Sequence, residues 1–190
     1  MKKGLLIVLS GPSGVGKGTI FSHLLKIMPD LTVSVSATTR SPRAGEKDGV
    51  QYYFLDREEF IRKRANGEFL EWAETVGNFY GTPKAPVIEK LENGKDVLLE
   101  IDVKGAHQIK AAYPDCVTIF VLPPSEEELN KRLVGRGTET EAQVKARLEL
   151  AKSELSESVL FDYRIVNDDL ARAVREVADI INKIKGERKC

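Results

Sequence analysis

The segment Gly11-Pro12-Ser13-Gly14-Val15-Gly16-Lys17-Gly18-Thr19 has the residue types and spacing to hold an anion. Its glycines let successive backbone N–H groups turn toward one point with no Cβ in the way. A helix opening there adds about half a positive charge at the same spot, and Lys17 adds a point charge for outer phosphates. A bare G-x4-G-K arises by chance in about one chain in twenty of this length, with glycine at ~7% of residues. The apolar run Leu5–Leu9 before it and the amphipathic pattern after it distinguish a phosphate loop from a glycine-rich turn. Ser or Thr usually follows the lysine, to bind Mg²⁺. Here Gly18 stands there, so Thr19 reaches a metal through water or not at all.

Other residues are candidates for the chemistry around a phosphate. Arg40 and Arg43 lie three apart in a loop with Pro42. Two guanidinium forks at that spacing can close on one phosphate monoester, or belong to a solvated basic turn. Asp102 ends the apolar strand Val97–Ile101, where ligands gather in open parallel sheets. It can orient Mg²⁺ waters, cap the next helix, or do both. Arg132, Arg136 and Arg147 fall in a charged region where Gly135-Arg136-Gly137 suggests a mobile flap. They can surround a phosphoryl group in transfer, or decorate a helix rich in glutamate. Asn182-Lys183-Ile184-Lys185 lacks the aspartate of a guanine-reading GTPase loop and lies within the last helix, which discards that reading. His23 and His107 are far apart, and no His, Cys and Asp grouping has zinc spacing.

The elements that must position these groups follow from hydrophobic periodicity. Continuous apolar blocks at Leu5–Leu9, Asp96–Ile101, Cys116–Leu122 and Tyr163–Val166 read as parallel strands covered on both faces. Helices are expected between them. The first carries Ile20, Phe21, Leu24, Leu25 and Ile27 on one stripe. Another has Thr82 as N-cap and Pro83 at its first position; a third starts at Ser125 with a capping box to Glu128; the last runs over about 169–184. Residues 34 to about 80 are polar and turn-rich, and read as an insert of short, partly antiparallel strands with a helix over Asp56–Asn66. The predicted class is α/β, a doubly wound parallel sheet.

Composition sets outer bounds. With 42% apolar and 31% charged residues the chain is an ordinary globular one, not a disordered one. Lys plus Arg and Asp plus Glu both number 29, so the net charge is zero and any anion must meet a local cluster. That balance argues against nucleic acid and membrane surfaces as partners. Two cysteines, Cys116 and Cys190, fit a reducing compartment. The five-residue apolar run near the start is too short for a signal peptide, and no run approaches the ~18–20 residues of a membrane span. A cytoplasmic location is expected.

With the loop placed, the insert becomes legible. Ser36-Ala37-Thr38-Thr39-Arg40-Ser41-Pro42-Arg43-Ala44-Gly45-Glu46, Gly49, Tyr52, Phe69-Leu70-Glu71-Trp72 and Gly77-Asn78-Phe79-Tyr80-Gly81-Thr82 resemble guanylate kinases. So do Leu99-Glu100-Ile101-Asp102, the segment Arg132-Leu133-Val134-Gly135-Arg136-Gly137-Thr138-Glu139-Thr140, and Val166-Asn167-Asp168-Asp169, all in the family's order.

The resemblance implies ATP-dependent, Mg²⁺-assisted transfer of a phosphoryl group to GMP or dGMP. It also implies a P-loop three-layer parallel sheet core over 1–33, 83–124 and 156–190, a GMP-binding insert over 34–82 and a helical lid over 125–155. By similarity Arg40, Arg43, Tyr52 and Tyr80 hold the GMP phosphate, while Ser36, Thr82 and Glu100 sit near the base. Guanine offers N1–H and an exocyclic amine, which one carboxylate can accept together; adenine would leave that carboxylate unpaired. Glu71, inside the otherwise apolar Phe69–Trp72 run, suits that role. Residues 11–19 bind ATP, Asn167-Asp168 lie by its adenine, and Arg136 and Arg147 reach the phosphates with Arg132 in support. Two rivals remain. One is a catalytically silent relative that binds phosphorylated peptides, disfavoured by the intact loop; the other is a P-loop kinase of a different acceptor, disfavoured by Glu71.

Overall fold

The computed structural model describes residues 2–75, 77–134 and 141–189, and the side chains of all of these except 141–145 and 189. The chain opens with β1 (Leu6–Ser10), α1 (Lys17–Ile27), β2 (Thr32–Val33), β3 (Ser36–Thr38), β4 (Tyr52–Phe54) and α2 (Arg57–Ala65). Then come β5 (Phe69–Thr75), β6 (Asn78–Pro83), α3 (Lys84–Glu92), β7 (Val97–Glu100), α4 (Val103–Ala112) and β8 (Val117–Leu122). Next are α5 (Glu126–Val134), α6 (Glu141–Ser156), β9 (Tyr163–Val166) and α7 (Leu170–Lys189). Two compact units result, one of Met1–Leu6, Leu31–Leu99 and Lys104–Cys116, the other of Ile7–Asp30, Glu100–Val103 and Val117–Cys190.

In the second unit β1, β8 and β9 run parallel, with Ile7 opposite Val117 and Ile119 opposite Tyr163. Ile7, Val8, Leu9, Ile119, Phe120 and Val121 are fully buried, as continuous apolar strands in parallel sheets are. Helix α1 packs on α7. Ile20 and Leu24 of α1 and Val177 and Ile181 of α7 are fully buried, each worth about 1.5–3 kcal/mol. Ile27, expected on the buried stripe, is 55% exposed, because the helix ends there and the chain turns at Met28. Ser125 caps α5 through its hydroxyl, which accepts from the Glu128 N–H. The expected return bond of the capping box gives way to an ion pair of Glu128 with Arg132, 3.0 Å apart.

In the first unit β2 runs parallel to β7, with Thr32 opposite Val97. At two residues, β2 is too short to leave a periodic signal. A four-stranded sheet follows, ordered β4-β3-β6-β5; β3 and β4 are parallel, the other pairs antiparallel. Helix α2 is capped by Asp56, whose carboxylate accepts from the Glu59 N–H at 2.7 Å. Its Phe60 is fully buried and stacks on Phe69 and Phe79, with centroids 4.4 and 5.2 Å apart. Thr82 does not cap a helix. It is the fifth residue of β6, and α3 begins at Lys84 after Pro83, because strand pairing claims Thr82 first.

The sheet has two chemically different faces. Ser36 pairs with Tyr52, Thr38 with Phe54 and Tyr80, and Glu71 with Thr82, and directly paired residues share a face. The other face carries Ala37, Trp72 and Phe79 against Phe60. A cavity of about 830 Å³ opens on that apolar side, lined among others by Tyr53, Leu55, Phe69 and Ile88, and no residue of the polar face lines it.

One irregularity puts Glu71 on the polar face. Phe69 pairs with Pro83 and Glu71 with Thr82, so the register shifts between them and Leu70 is the extra residue of a β-bulge. Alternation alone would give Phe69 and Glu71 the same face. The bulge separates them, leaving Phe69 on Phe60 and Glu71 with Thr82. On the open edge of β5, the Gln108 side chain of α4 takes the place of a neighbouring strand. Its carbonyl oxygen accepts from the Trp72 N–H at 3.1 Å and its amide donates to the Trp72 carbonyl at 2.8 Å.

Candidate active site

The loop after β1 has the backbone geometry to cradle a phosphate. Gly11 has φ 141°, and a Cβ there would lie 2.5 Å from the Val121 carbonyl oxygen. Gly16 has φ 96°, and a Cβ would lie 2.5 Å from the Asn167 amide nitrogen. Neither position admits a side chain. Gly16 starts α1 with no side-chain cap and no acidic residue in the first turn, so the helix N-terminus keeps its positive end for an anion. Lys17 Nζ donates to the carbonyls of Gly11 and Pro12 at 2.5 and 3.0 Å, which tethers the ammonium over the loop. Ser13 is exposed and Val15 fully buried.

Gly18 and Thr19 are exposed on the first turn of α1. Above Gly18, a Cβ would meet the Glu100 carboxylate oxygens at 3.5 and 3.6 Å. Glu100 is open to water but recessed among protein atoms. Burial raises its carboxyl above the ordinary value, opposed by the Lys17 ammonium. Asp102, partly exposed, sits between β7 and α4. Thr19, Asp102 and Glu100 offer only oxygen donors. That set suits Mg²⁺, which keeps most of its waters and is held by one or two carboxylates plus phosphates. Among the described residues no cluster of three or more His, Cys, Asp or Glu could cage a metal.

Two further groups meet at this loop. Asn167 is 7% exposed, and its amide donates to the Val15 carbonyl at 2.8 Å. Arg132 reaches the carbonyls of Val15 and Asn167 at 3.4 and 3.3 Å. The Asp168 carboxyl is held below its ordinary value by the Asp169 backbone N–H and then by Arg172. Arg147 is half-buried on α6. Arg136 lies outside the described residues.

The polar face of the sheet forms the second group. Glu71 is 6% exposed, and its Oε1 accepts a 2.6 Å hydrogen bond from the fully buried Thr82 hydroxyl. Ser36, Tyr52 and Tyr80 are partly buried on the same face, the two tyrosine rings edge to face at 6.1 Å. Arg40 is carried there by Thr38 and Thr39. The Thr38 hydroxyl donates to the Phe79 carbonyl and accepts from the Arg40 N–H, while Thr39 Oγ1 accepts from the Phe79 N–H.

Glu46 is the residue that spacing did not reveal. Its carboxylate takes both arms of the Arg40 fork at 2.9 and 3.0 Å and accepts from the Arg43 N–H at 2.7 Å. The bond to Glu46 holds the Arg40 guanidinium firmly protonated and, in return, holds the Glu46 carboxyl below its ordinary value. The only sequence trace was an acid shortly after two arginines in a Pro/Gly turn. The Arg43 side chain is exposed. Thus Ser36, Arg40, Tyr52, Glu71, Tyr80 and Thr82 gather in the first unit, whereas Glu100 sits with Gly18 and Lys17 in the second.

A family model described as guanylate kinase matches residues 3–184. The chain is 51% identical over 190 residues to the guanylate kinase of Carboxydothermus hydrogenoformans, covering 99% of this chain and 93% of that protein. It is 54% identical over 187 residues to that of Clostridioides difficile, covering 98% and 91%. The crystal structure of guanylate kinase from Anaplasma phagocytophilum superposes with a TM-score of 0.79 at 38% identity, covering 96% of this chain and 87% of that one. A phosphate loop on one unit, a buried carboxylate with its threonine on the other and similarity along nearly the whole length lead to one assignment: the chain belongs to the guanylate kinase family.

Proposed function

We propose that the protein transfers the γ-phosphoryl group of ATP to GMP or dGMP, giving ADP and GDP or dGDP. A phosphate oxygen of GMP attacks Pγ, the bond from Pγ to the β–γ bridging oxygen breaks, and ADP leaves with the electron pair. The observation that carries this reading is Glu71, a buried carboxylate oriented by Thr82 on the polar face that also bears Ser36, Tyr52 and Tyr80. Such a group matches the two donors on the edge of guanine and penalises adenine.

The protein does little covalent work in this reaction; alignment and positive charge carry it. Residues 11–19 hold the triphosphate, and Lys17 stabilises charge on the outer phosphates. Arg40 and Arg43, with Tyr52 and Tyr80, hold the GMP phosphate, and Glu100 borders the base. Arg136 and Arg147 bring cations to the equatorial oxygens from a lid over 125–155, while 34–82 serves as the acceptor insert and the rest as core. Asn167-Asp168 border the adenine. Thr19 and Asp102 would hold Mg²⁺ through water, and the ion would supply charge neutralisation at the phosphates. The reaction serves purine nucleotide metabolism in the cytoplasm; no helix among the described residues is long and apolar enough to cross a membrane.

ADP release measured with GMP, AMP, CMP, UMP and no acceptor tests the proposal. Rapid turnover with GMP alone is expected. Equal rates with AMP, or no turnover with GMP, would overturn it.

A further inference from the structure

We propose that Asn167 is a positioning residue that sets the direction of the Gly16 N–H, and through it the grip of the loop on phosphate. This rests on the reading of residues 11–19 as the triphosphate cradle. A carbonyl can only accept, so the contact to the Val15 oxygen at 2.8 Å is a donation from the Asn167 amide. In a trans peptide the C=O and the following N–H point in opposite directions. Holding the Val15 carbonyl against Asn167 therefore turns the Gly16 N–H the other way, away from Asn167 and, on the cradle reading, toward the phosphate.

The anchor is rigid. Asn167 is buried and follows β9, and its own N–H donates to the Leu122 carbonyl at the end of β8. Arg132 braces it from α5, sharing the Val15 carbonyl and taking that of Asn167, while its Nε is held by Glu128 at 3.0 Å. Gly16 is the residue on which this acts most sharply. Its φ of 96° and the 2.5 Å approach of the Asn167 amide to a would-be Cβ leave only glycine there. Without the Asn167 donor, the Val15 carbonyl keeps only the longer 3.4 Å bond from Arg132, and the Val15–Gly16 peptide holds the direction of its N–H less firmly.

A contact with the adenine and a hold on the loop predict different ligand dependence. Affinity for ATP and for inorganic tripolyphosphate, which has no base, is measured calorimetrically for the wild type, Asn167→Ala and Asn167→Asp. Loss for both ligands is expected, about tenfold for Ala and more for Asp, whose carboxylate cannot donate and repels the Val15 oxygen. Affinity for GMP should be unchanged. In the wild type the Gly16 amide resonance should shift on adding tripolyphosphate, and this shift should shrink in Asn167→Ala, a readout that stays open if the Asp variant does not fold. Loss for ATP with tripolyphosphate untouched, or a lower Tm with both affinities intact, would overturn the proposal. Failure of the wild type to bind tripolyphosphate at all would instead remove the cradle reading beneath it.

Discussion

Thr82 and Glu71 are register partners across β5 and β6, and the Thr82 hydroxyl donates to the Glu71 carboxylate at 2.6 Å. A carboxylate only 6% exposed requires such a partner, since an uncompensated buried charge costs several kcal/mol. The bond also ties up Oε1 of that carboxylate, which in the proposed function sets the edge left for a base. Thr82→Val keeps the shape and removes the donor. Hydrogen bonds to charged groups are worth about 1.5–3 kcal/mol, so KM for GMP should rise roughly 10- to 100-fold with a smaller change in kcat. Steady-state kinetics at saturating ATP check this, and an unchanged KM would show that Thr82 does not orient Glu71.

Glu71→Gln tests base reading itself. The amide presents one acceptor where the carboxylate presents two, and it brings a donor toward the guanine amine. The ratio of kcat/KM for GMP over AMP should fall by about 10² or more. A ratio equal to that of the wild type would end the guanine assignment.

Deleting Leu70 removes the extra residue of the β-bulge. Phe69 and Glu71 then become neighbours on a regular strand, and alternation by itself leaves Phe69 on Phe60 and Glu71 on the face it shares with Thr82. GMP affinity should therefore be retained, while Tm should fall because the buried Leu70 side chain is lost. Calorimetry with GMP and a thermal melt check this, and loss of GMP affinity would mean that the bulge does more than set which face Glu71 occupies.

Lys17→Ala should lower kcat by orders of magnitude and leave Tm nearly unchanged. The lysine is partly exposed and tethered to the loop by the Gly11 and Pro12 carbonyls, and no core packing depends on it. Turnover and thermal melts together check this, and near-normal turnover would exclude it from transfer.

Glu100 gives a pH signature. Burial raises its carboxyl in the folded chain above its ordinary value of 4.5, so folding favours the protonated form. That contribution to stability is present below the ordinary carboxylate range and is lost as pH rises through the raised value. Glu100→Gln removes the dependence. The variant should gain Tm over the wild type at neutral pH, and the difference should vanish toward pH 4. A constant difference across that range would contradict the burial assignment.

The sequence by itself determined the glycine-rich loop and the longer parallel strands, because each leaves a local trace, whereas Ser36, Tyr52, Tyr80 and Thr82 were legible only through the family resemblance. Gly16-Lys17 after an apolar strand, continuous Val/Ile/Leu blocks and the Arg40 to Glu46 turn are all read over a few neighbours. It also carried Glu71 as a charge inside an apolar run, though not why that charge faces Thr82. Only the tertiary structure decided matters of register and long-range contact. The Leu70 bulge that turns Glu71, the Gln108 clasp 36 positions from Trp72 and the Asn167 hold on Val15 across 152 positions are of this kind. Hydrogen-bond partners such as these are chosen by which groups remain unsatisfied once strands have paired, and no local periodicity records that choice.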